Sequence, residues 1–232
     1  MFDVYTTLNM AYLGQALFAI TKTGVADRLA GEPASVAEVA ADCSVDAVVL
    51  RQTLLALASY GFVVADEAGR YRLASKARGL VEGEDPSLRE FTLLWGEQLY
   101  PVCGKLDRML ESGRPAFTHH FDAPIWEHYR KERRDGERFE RFMDVVTDWQ
   151  GPLVAAALDC SQHRTLVDIG GATGSLTIPI LLRNPQLSAT IYDQAHHTEI
   201  AGRRLAEAGV ADRASFVGGI FSLMCPAAPM RM

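Results

Sequence analysis

Thr165-Leu-Val-Asp-Ile-Gly-Gly-Ala-Thr-Gly-Ser175 is the stretch that decides the fold of this chain. A short apolar run ends in an acid, a glycine-rich turn follows, and Leu176 to Leu182 reads as an apolar helix. Strand, tight turn and helix in that order open a nucleotide-binding α/β unit, because small residues let the backbone approach a ligand across the strand end. A P-loop is excluded, since Ser175-Leu176 stands where a Lys-Ser/Thr pair is required. A Gly-x-Gly-x-x-Gly dinucleotide turn is excluded too, because Ala172 and Ser175 fill its later places. The spacing that fits is Gly170-x-Ala172-x-Gly174, with alanine at the centre. Alanine is tolerable there only if its φ is below zero.

Downstream, the pattern repeats. Ala189–Asp193 reads as a second strand, Glu199–Ala208 as a helix closed by Gly209, and Ala214–Val217 as a third strand. Strand–helix alternation at this spacing gives parallel βαβ units. Asp193 closes the second strand about 20 residues beyond the turn, where an acid accepts both ribose hydroxyls of a nucleoside. A helix N-cap is the competing reading of Asp193.

Upstream, the chain is helical. Residues 4–20 carry Val4, Leu8, Ala11, Tyr12, Gln15, Phe18 and Ala19 at helical spacing, with apolar residues on more than one face. Such a helix is deeply buried or packs on a second subunit. Gly24 opens a short helix, Val25 to Ala30. Ser35 and Glu38 form a capping box for the next helix. Ser44 is expected to cap a helix to Ser59 with core positions Ala47, Leu50, Leu54 and Leu57. Phe62–Val64 and Arg70–Leu73 flank a turn at Asp66–Gly69, a hairpin signal. Helix, helix, hairpin is a winged helix-turn-helix. It is not expected to bind DNA: residues 1–80 hold seven bases and eight acids, and its second helix carries only Arg51. Between residues 87 and 150, breaks at Gly113-Arg-Pro115 and Ala123-Pro124 separate helices with two aromatic clusters. One holds Phe117, Phe121, Trp126 and Tyr129; the other holds Phe139, Phe142, Met143 and Trp149. Most of these residues are expected to be helical core.

Composition agrees with a globular protein. The 232 residues are 48 % hydrophobic and 22 % charged, with a net charge of −6 that argues against nucleic acid as partner. Four dispersed cysteines suggest reduced thiols rather than a disulfide frame or a metal site. No leader pattern or membrane-length apolar run is read, so a cytoplasmic location is expected.

Together, the winged helix, the helical middle, Val167–Gly174, Tyr192-Asp193-Gln194 and Gly209–Arg213 leading to Phe216–Gly219 resemble one family over about residues 4–219. It is the small-molecule O-methyltransferases of the plant caffeate and bacterial polyketide and phenazine type, which use S-adenosylmethionine (SAM). The resemblance implies a mainly α winged-helix dimerisation domain (1–100), helices lining an acceptor pocket (101–150) and a Rossmann-like SAM-binding domain (151–232). It implies that Asp168, Gly170 and Gly174 shape the methionine and ribose end and that Asp193 holds the ribose. Thr147 falls where the family places a hydroxyl near the cofactor carboxylate. Phe142 and Met143 fall on the acceptor-pocket helix, with Trp126 and Phe117 as further candidates. A homodimer acting on a hydroxyl of a small aromatic metabolite in secondary metabolism is implied.

The family pattern breaks after Gly219, where Ile220 follows instead of an acid. The strands and the His-Asp-Trp helix expected next are not found, and His119, His120, His128, His163, His196 and His197 match no general base. No catalytic residue and no metal ligand are assigned. The expectation is an incomplete α/β domain truncated after its third strand, with strand order 3-2-1 and Leu166–Ile169 at an open edge. Permissible codons for residues 219–232, read one base back, encode a family-like continuation, which suggests a frameshifted or split enzyme. A separately encoded C-terminal half is the partner this implies. The rival readings are a non-catalytic dimerisation scaffold, half of a split methyltransferase, and a winged-helix regulator.

Overall fold

The first helix, α1 (Phe2–Lys22), is followed by a glycine at φ 76° and a second helix, α2 (Val25–Ala30). The computed structural model describes residues 2–219; the readings for the tail from Ile220 onward lie outside the described residues. The chain divides into two compact units at residue 142. The helices expected as a middle segment belong to the first unit as far as Phe142 and to the second beyond it.

In the first unit, α3 (Val36–Cys43) starts at Ser35, whose hydroxyl and the Glu38 carboxylate form the expected capping box. The next helix, α4 (Ala47–Ser59), corrects one expectation. Its cap is Asp46, which accepts from the Val48 and Val49 N–H groups, whereas Ser44 lies at the end of α3 with φ 54°. Both residue types can cap; left-handed backbone at Ser44 keeps it out of the extended conformation an N-cap needs. Leu50, Leu54 and Leu57 are buried as expected, while Ala47 is exposed. Strands β1 (Val63–Ala65) and β2 (Tyr71–Leu73) pair antiparallel with Val63 opposite Leu73, and Ala34 bridges to Tyr71. These elements enclose a continuous core that includes Ile20, Val25, Leu29, Val39, Leu54, Leu57 and Val63.

Short helices complete this unit: α5 (Arg89–Leu94), a π-helical turn (Trp95–Leu99), α6 (Tyr100–Cys103), α7 (Leu106–Ser112), α8 (Ala116–Phe121) and α9 (Ile125–Lys131). The long α10 (Arg133–Ala157) gives its first turns to this unit and its remainder to the second. Two glycines explain how α1 is seated. A Cβ at Gly96 would come within 2.2 Å of the Phe18 ring, and one at Gly14 within 2.6 Å of the Trp95 ring. Arg138, almost fully buried, is held by Glu90 at 3.0 Å and Glu97 at 2.8 Å. Two acids on one guanidinium satisfy a charge that would be costly alone.

In the second unit, strands β3 (Thr165–Ile169), β4 (Ser188–Asp193) and β5 (Ala214–Gly218) form one parallel sheet in the order β3-β4-β5. The crossovers are α11 (Thr177–Arg183) and α12 (Thr198–Glu207). Ala155 of α10, Ile180, Leu181, Leu187, Ile191, Leu205 and Val210 build its core on one face of the sheet. Gly151 lets α10 lie close to α11, since a Cβ there would meet Pro179 at 2.9 Å and the Ser175 carbonyl at 3.1 Å. The other face carries Val167 and Ile169 at 59 % and 54 % exposure. Among the described residues β3 is an edge strand. No helix among the described residues is long and apolar enough to cross a membrane.

Candidate functional site

The glycine turn leaves β3 through three residues of positive φ: Gly170 at 81°, Ala172 at 42° and Gly174 at 83°. Alanine at the centre is therefore in the left-handed region, which corrects the expectation of a negative φ. The compensation is visible. The Ala172 N–H donates to Asp193 Oδ2 at 2.8 Å, and the Gly174 N–H donates to the Gly171 carbonyl at 2.8 Å. A carboxylate bond to the strained residue's own N–H offsets the cost of the left-handed backbone.

Gly171 escaped the motif, which treats its position as variable. A Cβ there would lie 2.6 Å from the Asp168 carboxylate and 2.9 Å from Ile191. The turn passes directly over Asp168, whose Oδ2 accepts from the Thr177 hydroxyl at 2.6 Å. Asp168 thus joins the strand end to the first turn of α11. Over Gly170 an added Cβ would meet nothing within 4 Å, so that face of the turn is open.

Asp193 ends β4, the strand paired with β3, and reaches the turn at Ala172. Its Oδ1 accepts from the Gln194 N–H at 2.6 Å, and its Oδ2 from Ala172. Each carboxylate oxygen has a second acceptor direction. The helix-cap reading is met in part, since the Gln194 bond is local. The Ala172 bond, across to the glycine turn, is not a cap.

A polar network that the sequence did not reveal lies under the turn. Thr173 and Ser175 are buried, and both hydroxyls meet Asp144 Oδ1 on α10, Ser175 at 2.9 Å and Thr173 closer still. Arg204 on α12 donates to Thr173 Oγ1 at 3.1 Å and pairs with Asp148 at 2.6 Å. Thr147 lies between the two acids on α10 and is half-buried; Met143 is 41 % exposed.

The first unit holds the remaining candidates. Phe142 stacks on Phe91 at 4.1 Å and 18°. The two expected aromatic clusters are one, because Tyr129 and Phe139 meet at 5.0 Å and Phe117 and Tyr129 at 5.8 Å. Phe117 is buried. Trp126, which touches Phe139 edge-on at 5.7 Å, is 62 % exposed, and Trp149, in the second unit, is 71 % exposed. The core expected for most of the aromatic residues does not include these two, and each lies on the solvent side of its helix. The Tyr129 hydroxyl is pushed up to about 12 by burial and, secondarily, by Asp135.

A mostly helical chain with a small parallel sheet and a glycine turn at its first strand is the architecture of a dimerisation domain joined to a methyltransferase domain. The model of an O-methyltransferase dimerisation domain matches residues 5–83, and that of an O-methyltransferase domain matches residues 104–230. The chain belongs to the O-methyltransferase family. It is 31 % identical over 216 residues to the phenazine O-methyltransferase PhzM of Lysobacter antibioticus, covering 93 % of this chain and 63 % of that protein. The crystal structure of LaPhzM superposes with a TM-score of 0.77 at 30 % identity, over 97 % of this chain and 69 % of the other. CalO1, a methyltransferase of calicheamicin biosynthesis solved with SAH bound, gives 0.75 at 26 % identity, over 97 % and 67 %. The chain thus spans a little under two thirds of the length of its phenazine relative.

Proposed function

We propose that this chain binds SAM at the glycine turn and serves methyl transfer to a hydroxyl of a small aromatic metabolite. The observation that carries this reading is the pairing of Asp193 with Ala172, which ties a carboxylate to the centre of a turn built from Gly170, Ala172 and Gly174. The residues fit the cofactor: the carboxylate retains acceptor directions for ribose hydroxyls, and the open face over Gly170 admits a nucleoside. Bound SAM supplies an electrophilic methyl group on a sulfonium. Asp168 fixes the turn from below, and Thr147 and Met143 are the α10 positions assigned to the cofactor carboxylate and the acceptor. Phe142, Phe117 and Trp126 are assigned to the acceptor's aromatic surroundings. No residue here is assigned as general base. The SAH-bound CalO1 and the phenazine enzyme support the cofactor and acceptor class.

The dimer belongs to the same reading. The elements α3, α4, β1 and β2 follow winged-helix order, and the matching dimerisation domain supports a protein-binding role for them. Val4, Leu8 and Tyr12 on α1 are each more than two-thirds exposed, an apolar surface suited to a second copy. Leu8→Asp with Tyr12→Asp is expected to yield monomer or aggregate in light scattering.

Among the described residues one side of β3 is an edge, and this edge with the exposed Val167 and Ile169 favours completion of the sheet by further parallel strands. We read the α/β unit as part of a Rossmann-like domain, completed by a separately encoded half or by a longer form of this chain. Methyl transfer to a phenolic acceptor is then expected only with those strands present. Titration calorimetry tests the core of the proposal. Asp193→Ala is expected to weaken SAM binding by roughly tenfold to over a hundredfold, since charge-assisted hydrogen bonds are worth about 1.5–3 kcal/mol. Equal binding by both proteins would return Asp193 to the role of a local cap.

A further inference from the structure

The centre of the glycine turn is held in a conformation that alanine does not favour, and such conformations persist only where the surroundings over-determine them. On one side of Ala172 the holder is Asp193. On the other it is Thr173, the turn's one hydroxyl, which is 5 % exposed and faces Asp144. Asp144 Oδ1 accepts only, so each hydroxyl that bonds it donates; the two hydroxyls, of Thr173 and Ser175, also meet each other at 3.0 Å, and Arg204 donates to Thr173 at 3.1 Å. Arg204 also reaches Asp144 at 3.4 Å and Asp148 at 2.6 Å. Asp144 and Asp148 are four residues apart on α10, hence on one face. A single planar guanidinium spans both, which an ammonium does not do equally well. Helices α10 and α12, remote in sequence, therefore converge on one residue of the turn.

We propose that Thr173, Asp144 and Arg204 are positioning residues that lock the glycine turn in its ligand-ready shape, so that the turn's affinity for a nucleoside is set from α10 and α12. This rests on the assignment of the turn as the SAM site. The alternative is a network that only stabilises the fold. The two differ in what binding reads. Loss of a stabiliser raises an apparent Kd only through the fraction unfolded, roughly 1.1-fold while ~90 % stays folded. Loss of a positioning contact raises the Kd of the folded protein itself.

The test is titration of the full chain with S-adenosylhomocysteine, with the folded fraction of each variant measured by circular dichroism at the same temperature. Thr173→Val keeps the shape and removes the hydroxyl; Thr173→Ser keeps the hydroxyl. The expected result is a rise in Kd of about tenfold for Thr173→Val, which removes the bond to Asp144 and the bond from Arg204, and recovery to within about twofold for Thr173→Ser. Arg204→Lys, at a partly exposed position, provides a second variant should Thr173→Val not fold, and a several-fold rise is expected. Unchanged Kd in folded Thr173→Val or Arg204→Lys protein overturns the proposal and leaves the network as a stabiliser. Absence of binding by the unaltered protein overturns the SAM-site reading itself and the proposal with it, an outcome visible before any variant is made.

Discussion

The two sheets of this molecule are built to opposite standards of closure. The β1/β2 hairpin has Val63, Tyr71 and Leu73 buried in the core of its unit, and only Val64, at 39 % exposure, is a large apolar residue left on its outer side. In β3, Leu166 packs inward while Val167 and Ile169 face out at more than half exposure, and one side of the strand is an edge among the described residues. A hairpin of two three-residue strands is too small to stand alone, yet the helices of its unit cover its Val63, Tyr71 and Leu73 face. A parallel strand of Val and Ile character belongs to a sheet covered on both faces. Among the described residues, most of the hairpin's large apolar side chains find their environment inside its own unit, and Val167 and Ile169 of β3 do not.

The largest expected effect tests that contrast in stability. Leu54 is fully buried in the first unit, so Leu54→Ala should cost about 2–5 kcal/mol in urea denaturation. Val167→Ala should cost less than about 0.5 kcal/mol, as surface changes do. A Val167→Ala cost approaching that of Leu54→Ala would break the comparison, and would mean that the outer face of β3 is covered in solution.

Hydrogen exchange sharpens it to single amides. The Gly170 N–H donates to the Tyr192 carbonyl, so by the alternation of a parallel ladder the Leu166 and Asp168 N–H groups also point to β4. Those of Val167 and Ile169 point to the edge. Protection is expected to alternate along β3, with Val167 and Ile169 exchanging fast. Uniform protection would show a partner strand.

A smaller effect is expected at Ala172. Glycine adopts the left-handed backbone without the penalty of about 1–2 kcal/mol for an L-residue, but loses more freedom on folding, about 0.5–1 kcal/mol. Ala172→Gly should therefore raise stability by about 0.5–1 kcal/mol, read as a small rise in Tm. A fall would show that Asp193 and Thr173 already relieve the strain in full.

The smallest belongs to the first unit. Burial raises the Glu97 carboxyl, but the hydrogen bonds from Lys22 and Arg138 outweigh it and hold the group below its ordinary value of 4.5. Its folded value is thus depressed. The stability it contributes is present above about pH 4.5 and is lost as pH falls through the depressed value. Glu97→Gln should flatten the acid limb of the stability profile, and an unchanged limb would remove Glu97 from the acid response.

The sequence carried what is local. The capping box at Ser35, the hairpin turn, the strand–turn–helix at Thr165–Ser175 and the acid at Asp193 are all read within short windows, and the backbone follows them. It did not carry what converges from afar. Asp144 meets Thr173 across 29 residues and Arg204 meets Thr173 across 31, with no pattern tying them. Ser44 and Asp46 are equally good caps on paper, and only the backbone angle chooses between them. Gly171 was passed over because the crowding that demands glycine comes from Asp168 and Ile191, not from the motif. Trp126 and Trp149 show the limit of spacing: an aromatic at a helical interval need not face inward.

The close fit of Trp95 on Gly14 gives the protein an optical signature. The chain has three tryptophans; Trp126 and Trp149 stand mostly in water, while the Trp95 ring lies against α1. Its emission should therefore split into a red component that acrylamide quenches readily and a blue one that it reaches slowly. With Trp126 and Trp149 replaced by phenylalanine, the remaining light comes from the α1 contact alone. Undocking of that helix, by heat, acid or a partner's exchange, can then be followed as a colour change without any added dye.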